Sequence, residues 1–278
     1  MALPNRPVVL ITGTSSGIGR EAVLHLRKAG ALVIATARRP DSIADLAAPG
    51  EVECLALDVA DDASRKAAVA EVLRRHGRID ALVNNAGYGA MLAVEETPGD
   101  TMRRMYETNL LGPHELARLV LPAMRKQGSG RIVNVASIAG HISVPLLGAY
   151  CSTKFALRAL TQAMHNEIRP LGLHASLIEP GVIKTNFGTH SLKEAQAAGA
   201  DLEGPYGPYY KRWGRMRMLG GGAHPRVIAR RIVHACLAQS PRFHYFAPWK
   251  DSKLANVLKR IVPDSWLNFG FRIWFRGK

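Results

Sequence analysis

The chain has 278 residues, enough to bury a full core, and its 47% apolar and 21% charged content is that of a globular protein. No apolar run approaches the roughly 20 residues that span a bilayer, and the three cysteines, Cys54, Cys151 and Cys236, are too scattered for a disulfide framework or a metal site. The net charge of +15 suits nucleic acid, an anionic membrane or an anionic cofactor; no nucleic-acid motif is present, so an anionic cofactor is expected and nucleic acid is not.

Residues 6–12 form a continuous apolar run, the pattern of a strand buried on both faces. The turn Gly13-Thr14-Ser15-Ser16-Gly17-Ile18-Gly19 follows. A helical stretch over 20–29 places Ala22, Leu26 and Ala29 on one face and ends at Gly30; residues 31–36 read as a second buried strand. Together these make one βαβ unit. A third strand over 52–57 is closed by Asp58. A helix over 63–75 ends at Gly77, and a fourth strand over 79–84 leads into Asn85-Ala86-Gly87. The helical region 101–126 contains Pro113 and Pro122, which bend or interrupt it. A fifth strand over 131–135 delivers Ser137, a helix opens near Leu147, and a sixth strand over 174–179 precedes Pro180-Gly181. The alternation predicts the α/β class, a doubly wound parallel sheet, as a single domain over 1–278.

Regularity fails after Thr185. Residues 186–223, rich in Gly, Tyr, Pro, Arg and Met, read as an irregular lid whose aromatic and Met content suggests an apolar alcohol or ketone. A helix over 225–239, a short strand over 243–246 and a helical extension over 248–278 complete the chain. The N-terminus carries no separate signal-peptide core, which favours a cytoplasmic protein.

In an open parallel sheet the ligand sits beyond the carboxyl ends of the strands, and the unusual residues fall there. The Gly13–Gly19 turn brings backbone and helix N–H groups towards a phosphate. The acid that holds a ribose 2′-hydroxyl is missing after the second strand, which ends Ala37-Arg38-Arg39. Two arginines there accept a 2′-phosphate, so NADP(H) is expected over NAD(H); Asp41, after Pro40, reads as a helix cap. Tyr150 and Lys154, one helical turn apart, share a face. A phenol, an ammonium and the Ser137 hydroxyl meeting at one point can do acid–base chemistry on an alcohol or a carbonyl. A solvated i,i+4 pair is the plainer reading of Tyr150 and Lys154, and a solvated surface pair that of Arg38 and Arg39.

Thr12-Gly13-x-x-x-Gly17-x-Gly19, Asn84-Asn85-Ala86-Gly87, Asn109, Ser137, Tyr150-x-x-x-Lys154 and Pro180-Gly181 share the order and spacing of one family. Over about 7–185 the chain resembles the short-chain dehydrogenase/reductase family, and more loosely its hydroxysteroid and retinol dehydrogenase branch. The resemblance implies a Rossmann fold, a homo-oligomer, no metal, and hydride transfer between NADP(H) and a steroid-, retinoid- or lipid-like carbonyl or alcohol. Tyr150 would be the general acid/base, and Lys154 would lower its pKa from about 10 and bind the nicotinamide ribose. Ser137 would hold the substrate oxygen and Asn109 a relay water. Ser15, Ser16 and Ile18 would meet the cofactor with the turn glycines. Asp58 and Val59 would flank the adenine; Asn85, Ala86, Gly87, Pro180 and Gly181 would line the cofactor; Ile183 and Thr185 would reach the nicotinamide amide.

Three rival expectations stand beside this. Gly13-Thr14-Ser15-Ser16-Gly17 also fits the nucleophile elbow of a serine hydrolase, with Ser15 as nucleophile. A non-catalytic NADP(H)-binding protein can use the same fold. In the tail, Trp266, Phe269, Phe271, Trp274 and Phe275 alternate with Arg272, Arg276 and Lys278, a pattern for lying on an anionic membrane or for covering a pocket or a subunit interface.

Overall fold

The computed structural model describes residues 4–218, 221–248 and 262–276; side chains are described for all of these except 216–218, 264 and 274–276. The strands are β1 (Val8–Ile11), β2 (Leu32–Ala37), β3 (Val52–Ala56), β4 (Ala81–Asn84), β5 (Gly130–Val135), β6 (Leu173–Pro180) and β7 (His244–Ala247). All pair in parallel in one seven-stranded sheet, ordered β3-β2-β1-β4-β5-β6-β7. The chain moves outward from β1 to β3, then returns to lay β4 on the other side of β1. This reversal opens a crevice at the carboxyl ends of β1 and β4.

β1, β4 and β5 are buried at every position; β1 is accordingly an unbroken apolar run, whereas β4 and β5 also bury Asn84, Arg131 and Asn134. Successive residues supply opposite faces. Val9 and Ile11 pack with Ala22 and Leu26 of α1 (Gly17–Lys28), while Val8 and Leu10 join the core on the other face, with Val69 and Val72 of α2 (Asp62–His76). Helices α3 (Gly99–Tyr106), α4 (Gly112–Gln127) and α5 (Gly148–Ile168) come next in the chain. Leu116 and Val120 of α4 and Met164 of α5 add to the second face, and Ile228 and Ile232 of a later helix (Arg226–Leu237) to the first. Asp61 caps α2 by accepting from Ser64 N at 2.6 Å, and Gly77 ends it in the left-handed conformation.

Two passages differ from the sequence expectation. The region 101–126 is divided by a π-helical turn, Glu107–Leu111, between α3 and α4. Pro113 lacks the N–H that would bond the Asn109 carbonyl in a regular helix, so the widened turn falls where Asn109 sits. The segment 186–223, expected as irregular, holds two helices, α6 (Phe187–Ala197) and α7 (Gly207–Met218). Gly188, Gly207, Pro208 and Gly214 lower the helix propensity of those stretches and hide them. The excursion leaves and returns at one point: Ile183 bridges Ala223, and Lys184 N donates to Ala223 O at 2.9 Å.

α8 (Arg226–Leu237) leads to β7, and α9 (Asp264–Arg276), the described part of the tail, packs against α7. Lys278 and the side chains of Trp274, Phe275 and Arg276 lie outside the described residues. Among the described residues no helix is long and apolar enough to cross a membrane.

Candidate active site

The Gly13–Gly19 turn is fastened to the loop after β4. Thr12 Oγ1 accepts from Asn85 N and Ala86 N, each at 3.0 Å, and Asn85 Nδ2 donates to Thr12 O at 2.9 Å and Gly13 O at 3.0 Å. A Cβ on Gly13, whose φ is +70°, would stand 2.7 Å from Ala86 Cα, and one on Gly19 would stand 2.2 Å from Gly13 O. Only bare backbone fits at either position. Ser16 occupies the N-cap of α1 in extended conformation with no side-chain cap bond, and the first helical turn carries no acid. The first N–H groups of α1 are therefore free for an anion. Ser15 and Ser16 are exposed and Ile18 is half-buried. Thr185 reaches Gly17 from across the crevice, with its methyl 3.3 Å from where a Gly17 Cβ would be.

Arg38 and Arg39 lie exposed just past β2, and neither holds an ion pair among the described residues. The cap expected at Asp41 does not form. Pro40 begins the 3-10 turn Pro40–Leu46, Arg39 takes the cap position, and Asp41 falls inside the first turn. Asp58 Oδ1 accepts from Ala60 N at 3.0 Å and so caps the turn that follows β3. Val59 is buried beside it, and Gly112 lies so close that a Cβ there would stand 2.4 Å from Val59 O. On the far side of the crevice Gly181 N donates to Ala247 O at 2.9 Å, fixing Pro180-Gly181 to the end of β7.

The reactive groups converge between β4, β5 and α5. Ser137 opens a short turn, Ile138–Gly140, and its Oγ accepts from Ala139 N at 3.1 Å. Tyr150 and Lys154 are buried on α5. Lys154 Nζ donates to Val135 O at 3.0 Å and stands 5.8 Å from the Tyr150 ring centre. Asn109, fully buried, donates from Nδ2 to Tyr88 O at 2.8 Å and Thr153 Oγ1 at 3.1 Å, and accepts at Oδ1 from Tyr88 N at 3.0 Å. Gly87 lies between these groups: a Cβ there would be 3.0 Å from Asn109 Oδ1 and 3.6 Å from Lys154 Nζ.

One electrostatic expectation is corrected. Burial pushes the Tyr150 phenol above its ordinary range, and the hydrogen bond with Ser137 only partly offsets this. Burial also pushes Lys154 down to about 8. Burial thus disfavours each group in its charged form, and the phenol is raised where the resemblance implied that it would be lowered.

The substrate-side wall was not legible as individual residues. Phe187 of α6 lies 5.1 Å ring to ring from Tyr150. Met91, Leu92, Met105, Leu146 and Tyr210 form one buried cluster with Tyr150. α7 is tied over it: Tyr210 Oη bonds the Glu96 carboxylate, Tyr206 Oη donates to Glu95 Oε2 at 2.5 Å, and Trp213 Nε1 donates to Pro145 O at 3.2 Å. Tyr206, Tyr209, Tyr210 and Trp213 recur at helical spacing, the signal that marks this face in the sequence.

Residues 7–196 match the family model described as short chain dehydrogenase. A 3-ketodihydrosphingosine reductase of Bacteroides thetaiotaomicron is 30% identical over 96% of this chain and 97% of its own. The crystal structure of a short-chain dehydrogenase from Streptomyces avermitilis superposes with a TM-score of 0.80 at 32% identity, covering 95% of this chain and 97% of that one. A metagenomic short-chain oxidoreductase in complex with NADP superposes with a TM-score of 0.69 at 27% identity, covering 89% of this chain and 98% of that one. With this fold and these residues at the carboxyl edge of its sheet, the chain belongs to the short-chain dehydrogenase/reductase family, the oxidoreductases that bind a nicotinamide nucleotide.

Proposed function

We propose that the protein is an NADP(H)-dependent oxidoreductase that moves a hydride between nicotinamide and the carbonyl or alcohol carbon of an apolar, lipid-, steroid- or retinoid-like substrate. The observation that carries this reading is the juxtaposition of Ser137, Tyr150 and Lys154 with the glycine-lined turn at one crevice, whose far end holds two exposed arginines that form no ion pair among the described residues.

The cradle fits a dinucleotide. The bare backbone at Gly13 and Gly19 and the open N-terminus of α1 would take the pyrophosphate, and Arg38 and Arg39 the 2′-phosphate. Asp58 and Val59 would border the adenine, Asn85 to Gly87 and Pro180-Gly181 the middle of the cofactor, and Ile183 and Thr185 the amide end. NADP(H), when bound, supplies or accepts the hydride. Ser15, exposed on this turn with no histidine bonded to it among the described residues, is read as a phosphate contact and not as a nucleophile.

In the reductive direction the Tyr150 O–H gives its proton to the oxygen that gains charge, while the Ser137 hydroxyl donates a hydrogen bond to the same oxygen. Burial keeps Tyr150 in the phenol form, the donor that reduction needs. Protonated Lys154 steadies the phenolate left behind. The second lone pair of Asn109 Oδ1 faces the same space as Lys154 and suits a water that returns the proton. An apolar substrate is supported by Phe187, Met91, Leu92 and Tyr210 around Tyr150, and by the relative named for a keto lipid.

Two partner readings go with this. Leu111 and Phe155, at 41% and 39% exposure beside α4 and on α5, support assembly into a homo-oligomer. On α9, Trp266, Phe269 and Ile273 are 74%, 63% and 57% exposed along one stripe beside Arg272, which supports peripheral contact with an anionic membrane. The test of the central reading is NADPH and NADH consumption over a panel of steroid, retinoid and fatty carbonyls. Turnover of an apolar carbonyl with preference for NADPH is expected. Tight NADPH binding without turnover of any member would instead favour a non-catalytic binding protein.

A further inference from the structure

Glu179, the penultimate residue of β6, is fully buried, immediately before Pro180-Gly181. Burying a carboxylate costs several kcal/mol unless donors meet its oxygens. Here His141 Nε2 stands 2.6 Å from Oε1 and His244 Nδ1 stands 2.7 Å from Oε2. Arg158 Nε lies 3.7 Å from Oε1, close enough for an ion pair, and has no hydrogen-bond partner of its own among the described residues. Among the described residues these three are the charged and titratable groups that face Glu179, from the turn after β5, from β7 and from α5. Burial pushes the Glu179 carboxyl up, but the hydrogen bonds from His141 and His244 bring it below its ordinary range, so it stays ionised at neutral pH.

The network runs to the reactive groups. His141 ends the turn that Ser137 opens: Gly140 N donates to Ser137 O and His141 N to Ile138 O, both at 2.9 Å. Gly140 presses on α5, where a Cβ would come within 2.9 Å of the Lys154 carbonyl. Arg158 is one turn along α5 from Lys154. His244 is stacked on Phe246 at 5.6 Å and 5°, which holds its ring towards Glu179. One carboxylate thus joins the Ser137 turn, the Tyr150 helix and the strand that leads into the Pro180-Gly181 loop.

We propose that Glu179 is a positioning residue which, through His141, fixes the Ser137 turn against α5 and so sets the spacing of the Ser137 and Tyr150 oxygens around the substrate oxygen. The inference rests on the reading of Ser137 and Tyr150 given above. The carboxylate is required because both imidazoles donate to it. An amide has one acceptor oxygen and must donate to the second imidazole, and only a neutral imidazole can accept.

The experiment uses the full chain with NADPH and a carbonyl that the wild type reduces. Glu179→Gln is expected to lower kcat about tenfold, with KM and NADPH affinity within about twofold. Combined with Ser137→Ala it should cost no more than Ser137→Ala alone. His141→Ala should reproduce the loss, and His141→Gln, which keeps an N–H donor, should restore most of it. A wild-type kcat in Glu179→Gln, a loss that multiplies with that of Ser137→Ala, or equal losses in both His141 variants overturns the proposal. If Glu179→Gln does not fold, the His141 pair decides. Retained turnover in Tyr150→Phe defeats the underlying reading instead; lost turnover there with an unaffected Glu179→Gln defeats this inference alone.

Discussion

Lys154 Nζ donates to the Val135 carbonyl at 3.0 Å while standing 5.8 Å from the Tyr150 ring centre. The bond pins α5 to the end of β5, two residues before Ser137. The ammonium is therefore held by backbone at a fixed distance from the phenol, in surroundings that disfavour its charge.

That cost should be measurable as stability. The fall from the ordinary lysine value of 10.5 to about 8 corresponds to about 3 kcal/mol. Because the folded pKa is the lower one, the folded chain binds fewer protons between about pH 8 and 10.5, and the penalty, full below pH 8, fades as pH rises. Cys151, Cys236 and Tyr150, all pushed up by burial, act in the opposite sense as pH rises, so the informative quantity is a difference. Urea unfolding of Lys154→Met and wild type should show the variant gaining relative stability at pH 7 and losing that gain towards pH 10, with turnover abolished throughout. A pH-independent difference would remove Lys154 as a strained charge.

The Gly13–Gly19 turn predicts a different failure. In Gly19→Ala the new methyl would lie 2.2 Å from Gly13 O and 2.5 Å from Asn85 Nδ2, so the cradle must open. We expect a loss of about 1–3 kcal/mol in unfolding free energy and at least a tenfold weaker NADPH affinity, read by fluorescence titration. Unchanged affinity would show that the turn does not hold the cofactor.

Much of this was legible in the sequence, and the residues show why. Val8 to Ile11 is buried on both faces, so its apolar run is unambiguous. The glycine turn, Ser137, Tyr150 and Lys154 need particular residue types at particular spacings. The wall around Phe187 and Tyr210 was not legible, because α6 and α7 contain glycine and depend on tertiary contacts such as Trp213 with Pro145. The direction of the Tyr150 shift was misread because burial is a property of the folded chain. The role of Glu179 is not legible in the sequence, because its partners, His141 and His244, are 38 and 65 residues away.

Cofactor choice should rest on Arg38 and Arg39. Replacing both with alanine is expected to raise the KM for NADPH at least tenfold and to leave that for NADH within about threefold, since charge-assisted bonds contribute about 1.5–3 kcal/mol each. Equal effects on both nucleotides would indicate a general electrostatic role without recognition of the 2′-phosphate.

The tail helix offers a separable test. Trp266→Glu with Phe269→Glu places two charges on the exposed stripe of α9. Co-sedimentation with vesicles containing anionic lipid should fall at least fivefold relative to wild type, with turnover of a water-soluble carbonyl retained. Equal sedimentation of both proteins would refute membrane docking through this helix.

The central claim is that the Tyr150 hydroxyl moves the proton that accompanies hydride transfer. Tyr150→Phe deletes that oxygen and keeps the ring that packs on Phe187 at 5.1 Å. Single-turnover oxidation of NADPH with an apolar carbonyl should slow by about a thousandfold or more, while NADPH affinity stays within about twofold. Oxidation of NADPH at near wild-type rate in this variant would contradict the account.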